Sequence, residues 1–233
     1  MLQPVAVTKT DASAGLFRLL AGLLAAVVCA SGTWLIVTEL ISPPAMRFPT
    51  DAKTAQEWSA HRAISSFAAS VGFLRSDLWA DAAISKAAPV FFQTGSAGLS
   101  PGDLQDALDT AGHAAKLAPH DARIWLSVAA LESARDPNGN KAADALKLSY
   151  YAGPYQPSLV PLRLSLALRS RAIVDPELQE LVSLEIQRVV LKQPDLKPAI
   201  LAAYRTAIPP GRALIETTLQ QVDPALLKAA RSQ

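Results

Sequence analysis

The feature that most restricts the fold is an uninterrupted apolar segment near the N-terminus. Residues 19–38, LLAGLLAAVVCASGTWLIVT, contain no charged side chain. A helix that crosses a bilayer needs about 20 mainly apolar residues, and this segment has that length. Trp34 lies towards its far end, where an interfacial aromatic ring is favourable, and a Ser-Pro-Pro sequence then stops the helix. We therefore predict a tail at 1–18, a transmembrane anchor at 19–41 and a linker at 42–50.

Two other interpretations of this segment remain open. A cleaved signal peptide fits Val28 and Ala30, which are small enough for cleavage before Ser31. Apolar character continues through residues 34–37, however, and that length favours an uncleaved anchor. Lipidation at Cys29 is disfavoured because the preceding valine is large for a lipobox.

The charges flanking the segment bear on its orientation. Lys9, Arg18 and the N-terminal amine precede it, whereas Arg47 and Lys53 follow it. The positive-inside rule, together with the short tail, favours an N-terminus in the cytoplasm. We therefore predict a single-pass protein of the cytoplasmic (inner) membrane whose soluble domain is periplasmic.

Composition restricts the remaining chain, residues 51–233, to one helical domain. Alanine and leucine dominate, while β-branched and aromatic residues are scarce, which favours helix over strand. The net charge of +2 is too small to indicate a nucleic-acid partner. The single cysteine lies in the apolar segment, so the domain has no disulfide and no cysteine metal site. The predicted fold is all-α, with eight or so helices after the anchor.

Several helix starts combine an oxygen side chain with proline. Ser100-Pro101, Asp175-Pro176 and Asp223-Pro224 each place a capping oxygen before a residue that has no N–H to satisfy. They predict helices from 101, from 176 to about Lys192, and over 225–230. Gln93 to Leu99 has the composition of a loop.

A first helix of the domain is predicted from Ala52 to Gly72, with Asp51 as its cap. Its apolar positions follow roughly helical spacing; they are Trp58, Ile64, Phe67, Ala68 and Val71. A second helix begins at Ser76-Asp77, with its apolar positions facing the core.

Residues 161–169 fit two patterns. Four leucines alternate with other residues, as in a strand, although Leu159, Leu162 and Leu166 also share one helical face. Leucine is a good helix former, and the proline at 161 falls in a first turn, where it is tolerated. We therefore predict a helix.

The stretch from Leu104 to Pro154 has the pattern of stacked helical hairpins. Small residues occur where neighbouring helices would approach closely: Ala107, Ala111, Ala114, Ala118, Ala129, Ala130, Ala142 and Ala145.

Within this stretch, Pro119 to Pro154 resembles a tetratricopeptide repeat (TPR). The two prolines stand 35 residues apart, and the family period is about 34. Trp125 matches the aromatic residue of the first helix, and Ala142 and Leu146 match contact positions of the second. The resemblance implies a TPR-like array of helical hairpins. The layout also resembles small membrane-anchored bacterial repeat proteins associated with envelope polysaccharide or cytochrome assembly.

Candidate catalytic chemistry is sparse in the sequence. No nucleophile elbow, zinc-protease motif, P-loop or dinucleotide fingerprint occurs. His113 follows Asp109 by four residues, which predicts a solvated ion pair on one helix face rather than a metal site. We therefore predict no enzymatic activity, no cofactor and no metal.

Charge points to a binding role. Residues 42–140 carry 8 basic and 10 acidic side chains, whereas residues 141–233 carry 12 and 8. In the TPR resemblance, Arg123, Arg169 and Arg205 map to the concave face, where they would bind an acidic peptide or anionic glycan. The alternative is three ordinary surface arginines. The predicted function is a membrane-tethered scaffold for a protein of an envelope assembly; an accessory of polysaccharide polymerisation or export that contacts glycan is the alternative.

Overall fold

A computed structural model of the chain describes residues 9–42, 47–92 and 99–232. These residues form helices and their connections, and none of them lies in a β-strand. The predicted all-α class is therefore confirmed for them. The chain divides into two compact units, Met1–Ser42 and Pro43–Gln233. Most of the loop predicted at Gln93–Leu99 lies outside the described residues.

The first unit is one long helix, α1, at Lys9–Leu40. Its portion from Ala14 to Leu40 is long and apolar enough to cross a membrane. The hydroxyls of Ser31 and Thr33 donate to carbonyls four residues earlier, at 2.8 and 2.9 Å. These polar side chains are thus satisfied within the helix, as an apolar environment requires.

The second unit is a helical domain. Its described residues form eleven α-helices: α2 (Ala52–Ala60), α3 (Arg62–Val71), α4 (Ser76–Ala87), α5 (Pro101–Leu117), α6 (Ala122–Arg135), α7 (Lys141–Ala152), α8 (Val160–Arg169), α9 (Pro176–Lys192), α10 (Lys197–Thr206), α11 (Pro209–Val222) and α12 (Pro224–Arg231). Short 3₁₀ turns occur at Ala88–Val90, Pro157–Leu159, Arg171–Val174 and Pro194–Leu196.

The predicted capping residues do begin helices. The side chain of Ser100 accepts from the backbone N–H of Asp103 at 3.1 Å. Asp175 and Asp223 accept from backbone N–H groups three residues ahead at 2.9 and 3.0 Å. Each bond satisfies a donor that has no partner within the helix. The prediction for α9 matches its observed bounds of Pro176–Lys192.

The region predicted as one helix from 52 to 72 is two helices. The break falls at His61, whose ψ angle of 5° departs from helical geometry and whose ring Nδ1 lies 2.8 Å from the carbonyl of Glu57. The helically spaced apolar residues of this region also differ in exposure. Trp58 and Ala68 are buried, but Ile64 and Phe67 are 44% and 59% exposed.

The alternating leucines of residues 161–169 lie in α8, which is buried on almost every side. Leu162, Leu164, Leu166 and Leu168 are all buried, in a helix that neighbouring elements cover on almost every side. Such a helix needs no polar face, so its leucines need not follow a single amphipathic stripe. The predicted helix is confirmed.

Helices α6 and α7 form a close hairpin. The hydroxyl of Ser149 donates to the carbonyl of Ala122 at 2.9 Å. A Cβ added to Gly153 would lie only 2.8 Å from the Cβ of Ala122. The alanines predicted at helix contacts in this hairpin are buried, namely Ala129, Ala130, Ala142 and Ala145. Small side chains here allow the close approach that the sequence predicts.

The end of the predicted linker packs on the domain. The ring of Phe48 is buried and stacks on Phe91 with centroids 5.7 Å apart. The indole N–H of Trp58 donates to the carbonyl of Arg47 at 2.9 Å. The chain therefore joins the helical core a few residues before α2.

Candidate binding cleft

A cleft of about 460 Å³ lies between α8, α10 and the start of α2. Most of its lining is apolar or small. The residues are Thr50, Asp51, Ala52, Phe92, Pro161, Ser165, Arg169, Asp195, Leu196, Ala199, Ala202, Ala203 and Thr206. We call this feature the Arg169 cleft.

Helical spacing places these side chains on two facing surfaces. On α8 the lining residues recur every four positions, at Pro161, Ser165 and Arg169. On α10 they occupy one face and include Ala199 and Ala203. Because serine and alanine are short, they leave open volume that larger side chains would fill. Short side chains therefore line much of the cleft, and Arg169 is the last of the three lining positions along α8.

One nitrogen of the Arg169 guanidinium, Nη2, is hydrogen-bonded to backbone carbonyls. It donates to the carbonyls of Val90 and Phe91 at 3.3 and 2.8 Å. A guanidinium has five N–H donors, so three remain on Nη1 and Nε. Among the described residues no acceptor binds those three. Arg169 thus anchors the turn after α4 and still offers donors in the cleft.

Burial dominates the electrostatics of Arg169. The pKa of its guanidinium is lowered to about 10, and loss of solvation is the sole cause. It remains a cation near neutral pH. Among the described residues no carboxylate forms a salt bridge with it, although Asp51 and Asp195 also line the cleft. The charge is therefore partly desolvated without an anionic partner.

This arrangement suits an anion attached to an apolar group. A carboxylate can accept two parallel N–H bonds from a guanidinium, and such pairs are among the stronger hydrogen bonds in proteins. The apolar lining would cover a neighbouring aliphatic or aromatic group. The cleft combines one cationic contact with apolar contact area.

Arg123, the second predicted site residue, has an internal partner. Its Nη2 lies 2.6 Å from Asp121, and its Nε bonds the same carboxylate at 3.0 Å. This hydrogen bonding raises the pKa of Arg123. Nearby Asp81 is largely buried, which raises the pKa of its carboxyl to about 6. Arg123 belongs to a mixed charge cluster and does not line the Arg169 cleft.

Arg205, the third predicted residue, is exposed on α10. Its neighbours Ala202, Ala203 and Thr206 line the Arg169 cleft, but Arg205 does not. The structure therefore places Arg169 in the cleft, Arg205 on the exposed side of α10 and Arg123 in a separate charge cluster.

A buried polar network was not foreseen from the sequence. Arg163 is completely buried, and its guanidinium donates to the hydroxyl of Ser149 and to the carbonyls of Ser149 and Gly153. Its Nη1 lies 3.6 Å from Oε1 of Glu185, an ion pair too long for a hydrogen bond. The hydroxyl of Tyr150 donates to the other Glu185 oxygen at 2.7 Å.

Burial sets the protonation of this network. Loss of solvation raises the pKa of Glu185 to about 7, despite the opposing charge of Arg163 and the bond from Tyr150. The pKa of Tyr150 is raised well above its usual value, first by burial and then by the charge of Glu185. The network joins α7, α8 and α9 and has a structural role. The sequence does contain one indication that Glu185 is buried. It shares a face of α9 with the apolar residues Leu178, Val182, Ile186 and Val189.

The predicted ion pair between Asp109 and His113 is wrong. The ring of His113 instead packs on Trp79, with centroids 4.1 Å apart. Asp109 accepts from the side-chain amide of Gln105 at 2.9 Å. Among the described residues, no group of three His, Cys, Asp or Glu side chains could hold a metal ion.

Three tyrosines at and just after the end of α7 have different environments. Tyr150 is buried in the polar network, whereas Tyr151 and Tyr155 are 57% and 73% exposed. The guanidinium of Arg188 lies 4.4 Å from the centre of the Tyr155 ring. Of the three, only Tyr150 is part of the core.

Comparisons with protein-family models, curated proteins and solved structures returned no match.

Proposed function

We propose that this protein is a membrane-tethered scaffold of a cell-envelope assembly, and that the Arg169 cleft binds a carboxylate-bearing segment of a partner protein. The observation that carries the proposal is the Arg169 guanidinium, partly desolvated in an apolar cleft without an anionic partner among the described residues. The role is binding rather than catalysis. In this proposal α1 anchors the chain in the cytoplasmic membrane, with the helical domain in the periplasm.

The architecture we propose is a short TPR-like array. The 35-residue spacing of Pro119 and Pro154 and the α6–α7 hairpin support it. In such an array the anchor confines a rigid binding surface close to the membrane. Confinement raises the local concentration of a membrane-bound partner without requiring any additional contact.

The lining of the cleft favours peptide over glycan. Sugars present many hydroxyl groups that need polar partners, whereas most of the exposed lining of the cleft is apolar. An acidic residue beside an apolar side chain fits this lining better. Titration calorimetry with an anionic glycan tests the alternative directly.

The experiment is site-specific photo-crosslinking of the full-length protein in native membranes. A photoreactive residue at Ser165 should yield one dominant adduct, whose partner is then identified by mass spectrometry. Ala199→Trp should fill the cleft and reduce the adduct at least tenfold. Ala213→Trp, at an exposed alanine of α11, is the matched control and should leave the adduct unchanged. An adduct that persists in Ala199→Trp contradicts the proposal.

A further inference from the structure

The outward face of α3 is unusual for a surface helix because it carries no charge. Its exposed positions are Ala60 just before the helix, Ala63, Ile64, Phe67 and Ser70, and the exposed Phe73 and Leu74 follow its C-terminus. A surface helix of a soluble protein normally directs charged and polar residues outwards. We call this set of residues the α3 face.

The exposed apolar side chains of the α3 face are large. Ile64, Phe67, Phe73 and Leu74 are 44%, 59%, 58% and 66% exposed. They fall within eleven consecutive residues, whereas the other exposed large apolar residues of the domain are spread over several helices. A contiguous apolar patch of this kind marks an interaction surface.

The opposite side of α3 faces the domain core. Ser65, Ala68 and Ala69 are buried on that side, and α4 packs beside the helix. Arg62 turns to α5, with its Nη2 2.9 Å from Asp103. The hydroxyl of Ser70 donates to the carbonyl of Phe67 at 2.7 Å, so the one polar side chain of the face is already engaged within the helix.

We infer that the α3 face docks on the surface of a lipid bilayer. The inference rests on the membrane anchoring by α1 that is part of the proposed function. Leu40 and Ala52 are only twelve residues apart in the sequence, and an extended chain spans at most about 3.5 Å per residue, so an anchored α1 would keep the domain close to the bilayer. A face with large apolar side chains and no charge suits the acyl boundary of a bilayer, and it offers a protein partner no charged or free polar group to recognise.

The absence of charge also predicts the mode of binding. Many interfacial helices use lysine and arginine to bind anionic lipid. The α3 face has none, so insertion of its apolar side chains should drive docking. Neutral phosphatidylcholine vesicles therefore test this mode directly, because they offer no electrostatic attraction.

The test uses the full chain reconstituted in phosphatidylcholine vesicles. The native Cys29 is replaced by serine, and a single cysteine at Ser70→Cys carries a polarity-sensitive nitrobenzoxadiazole label. Lipids bearing a quenching doxyl group near the headgroup should reduce its emission at least twofold. The same label at Thr217→Cys, an exposed position on α11, should stay unquenched.

Labelled Cys29 in the wild-type chain reports on the anchor. If doxyl groups deep in the acyl chains quench Cys29 but the Ser70→Cys label matches the Thr217→Cys label, the anchor stands and the inference is overturned. If neither position is quenched, both the anchoring and the inference fail. Blue-shifted emission at Ser70→Cys without lipid quenching means that protein covers the face, and this also overturns the inference.

A second substitution tests the face itself. Phe67→Asp should abolish quenching of the Ser70→Cys label because it places a charge at the centre of the face. Leu184→Asp, at an exposed leucine of α9, is the matched control and should leave the quenching unchanged. Equal loss in both variants overturns the inference.

Discussion

Single residues in this protein show how environment redefines side-chain chemistry. Arg123, Arg163 and Arg169 have the same functional group. Arg123 pairs with the neighbouring Asp121, Arg163 is completely buried among carbonyls and Glu185, and Arg169 faces an apolar cleft. The sequence selected Arg169 as a binding residue, but it did not predict the cleft, because α2 lies more than a hundred residues away in the chain. Side-chain type alone did not separate the three roles.

Glu185 makes stability depend on pH. Burial raises its pKa from 4.5 to about 7, so the folded chain holds a proton that the unfolded chain releases. Its stabilising contribution is fully present below pH 4.5 and is lost as the pH rises through about 7. Urea unfolding should show that the free-energy difference between wild type and Glu185→Gln falls by on the order of 3 kcal/mol across this window.

Glu177→Gln is the matched control on the same helix. Hydrogen bonds from Tyr151 and Lys147 lower the pKa of Glu177, so its contribution is lost only as the pH falls below the ordinary value of 4.5. The difference between wild type and Glu177→Gln should stay flat from pH 5 upwards. A flat profile for Glu185→Gln as well would contradict the assignment of a raised pKa.

At the scale of elements, backbone chemistry was more predictable than side-chain exposure. Helix starts follow from local rules, since Ser100, Asp175 and Asp223 bond to N–H groups within their own first turns. The break at His61 was missed because no proline or glycine marks it. The exposure of Ile64 and Phe67 was missed because helical spacing reports which residues share a face, but not which face packs on a neighbour.

Two helical glycines should respond to alanine with opposite signs. A Cβ at Gly211 in α11 would lie 2.5 Å from the carbonyl oxygen of Leu168, whereas a Cβ at Gly112 in α5 would meet no atom within 4 Å. We expect Gly211→Ala to destabilise the domain by about 1–3 kcal/mol, since the close approach of α8 and α11 cannot accommodate a methyl group. Gly112→Ala should stabilise it by about 0.5–1 kcal/mol, because alanine is the better helix former.

Chemical denaturation of both variants measures these changes. The wild-type backbone bond from the N–H of Ile208 to the carbonyl of Leu168, at 2.9 Å, fixes the spacing that Gly211 must respect. Equal stabilisation in the two variants would contradict the close approach of α8 and α11.

At the scale of the whole molecule, the first unit and the helical domain can be perturbed separately. Leu24 and Val28 are exposed on α1. An arginine at the centre of a membrane helix costs about 2.5–3.5 kcal/mol, so the double variant Leu24→Arg/Val28→Arg should no longer be retained by membranes. The urea midpoint of the helical domain should not change. Resistance to alkaline carbonate extraction measures the first effect, and circular dichroism measures the second.

The mass of the membrane-bound protein distinguishes an anchor from a signal peptide. An uncleaved anchor predicts the full 24.7 kDa chain in the membrane fraction. A membrane-free product shortened to begin at Ser31 would instead establish cleavage.

The guanidinium of Arg169 has one further consequence for the whole molecule. The same group holds the carbonyls of Val90 and Phe91 and offers its remaining donors to the cleft. In the proposed function, partner binding and the order of that turn are therefore thermodynamically linked. A partner that binds the guanidinium should stabilise the ordered turn. By linkage, a perturbation that disorders the turn should lower the affinity for the partner by the same factor. Slower amide hydrogen exchange near Val90 in the presence of the partner would be the signature of this reciprocity.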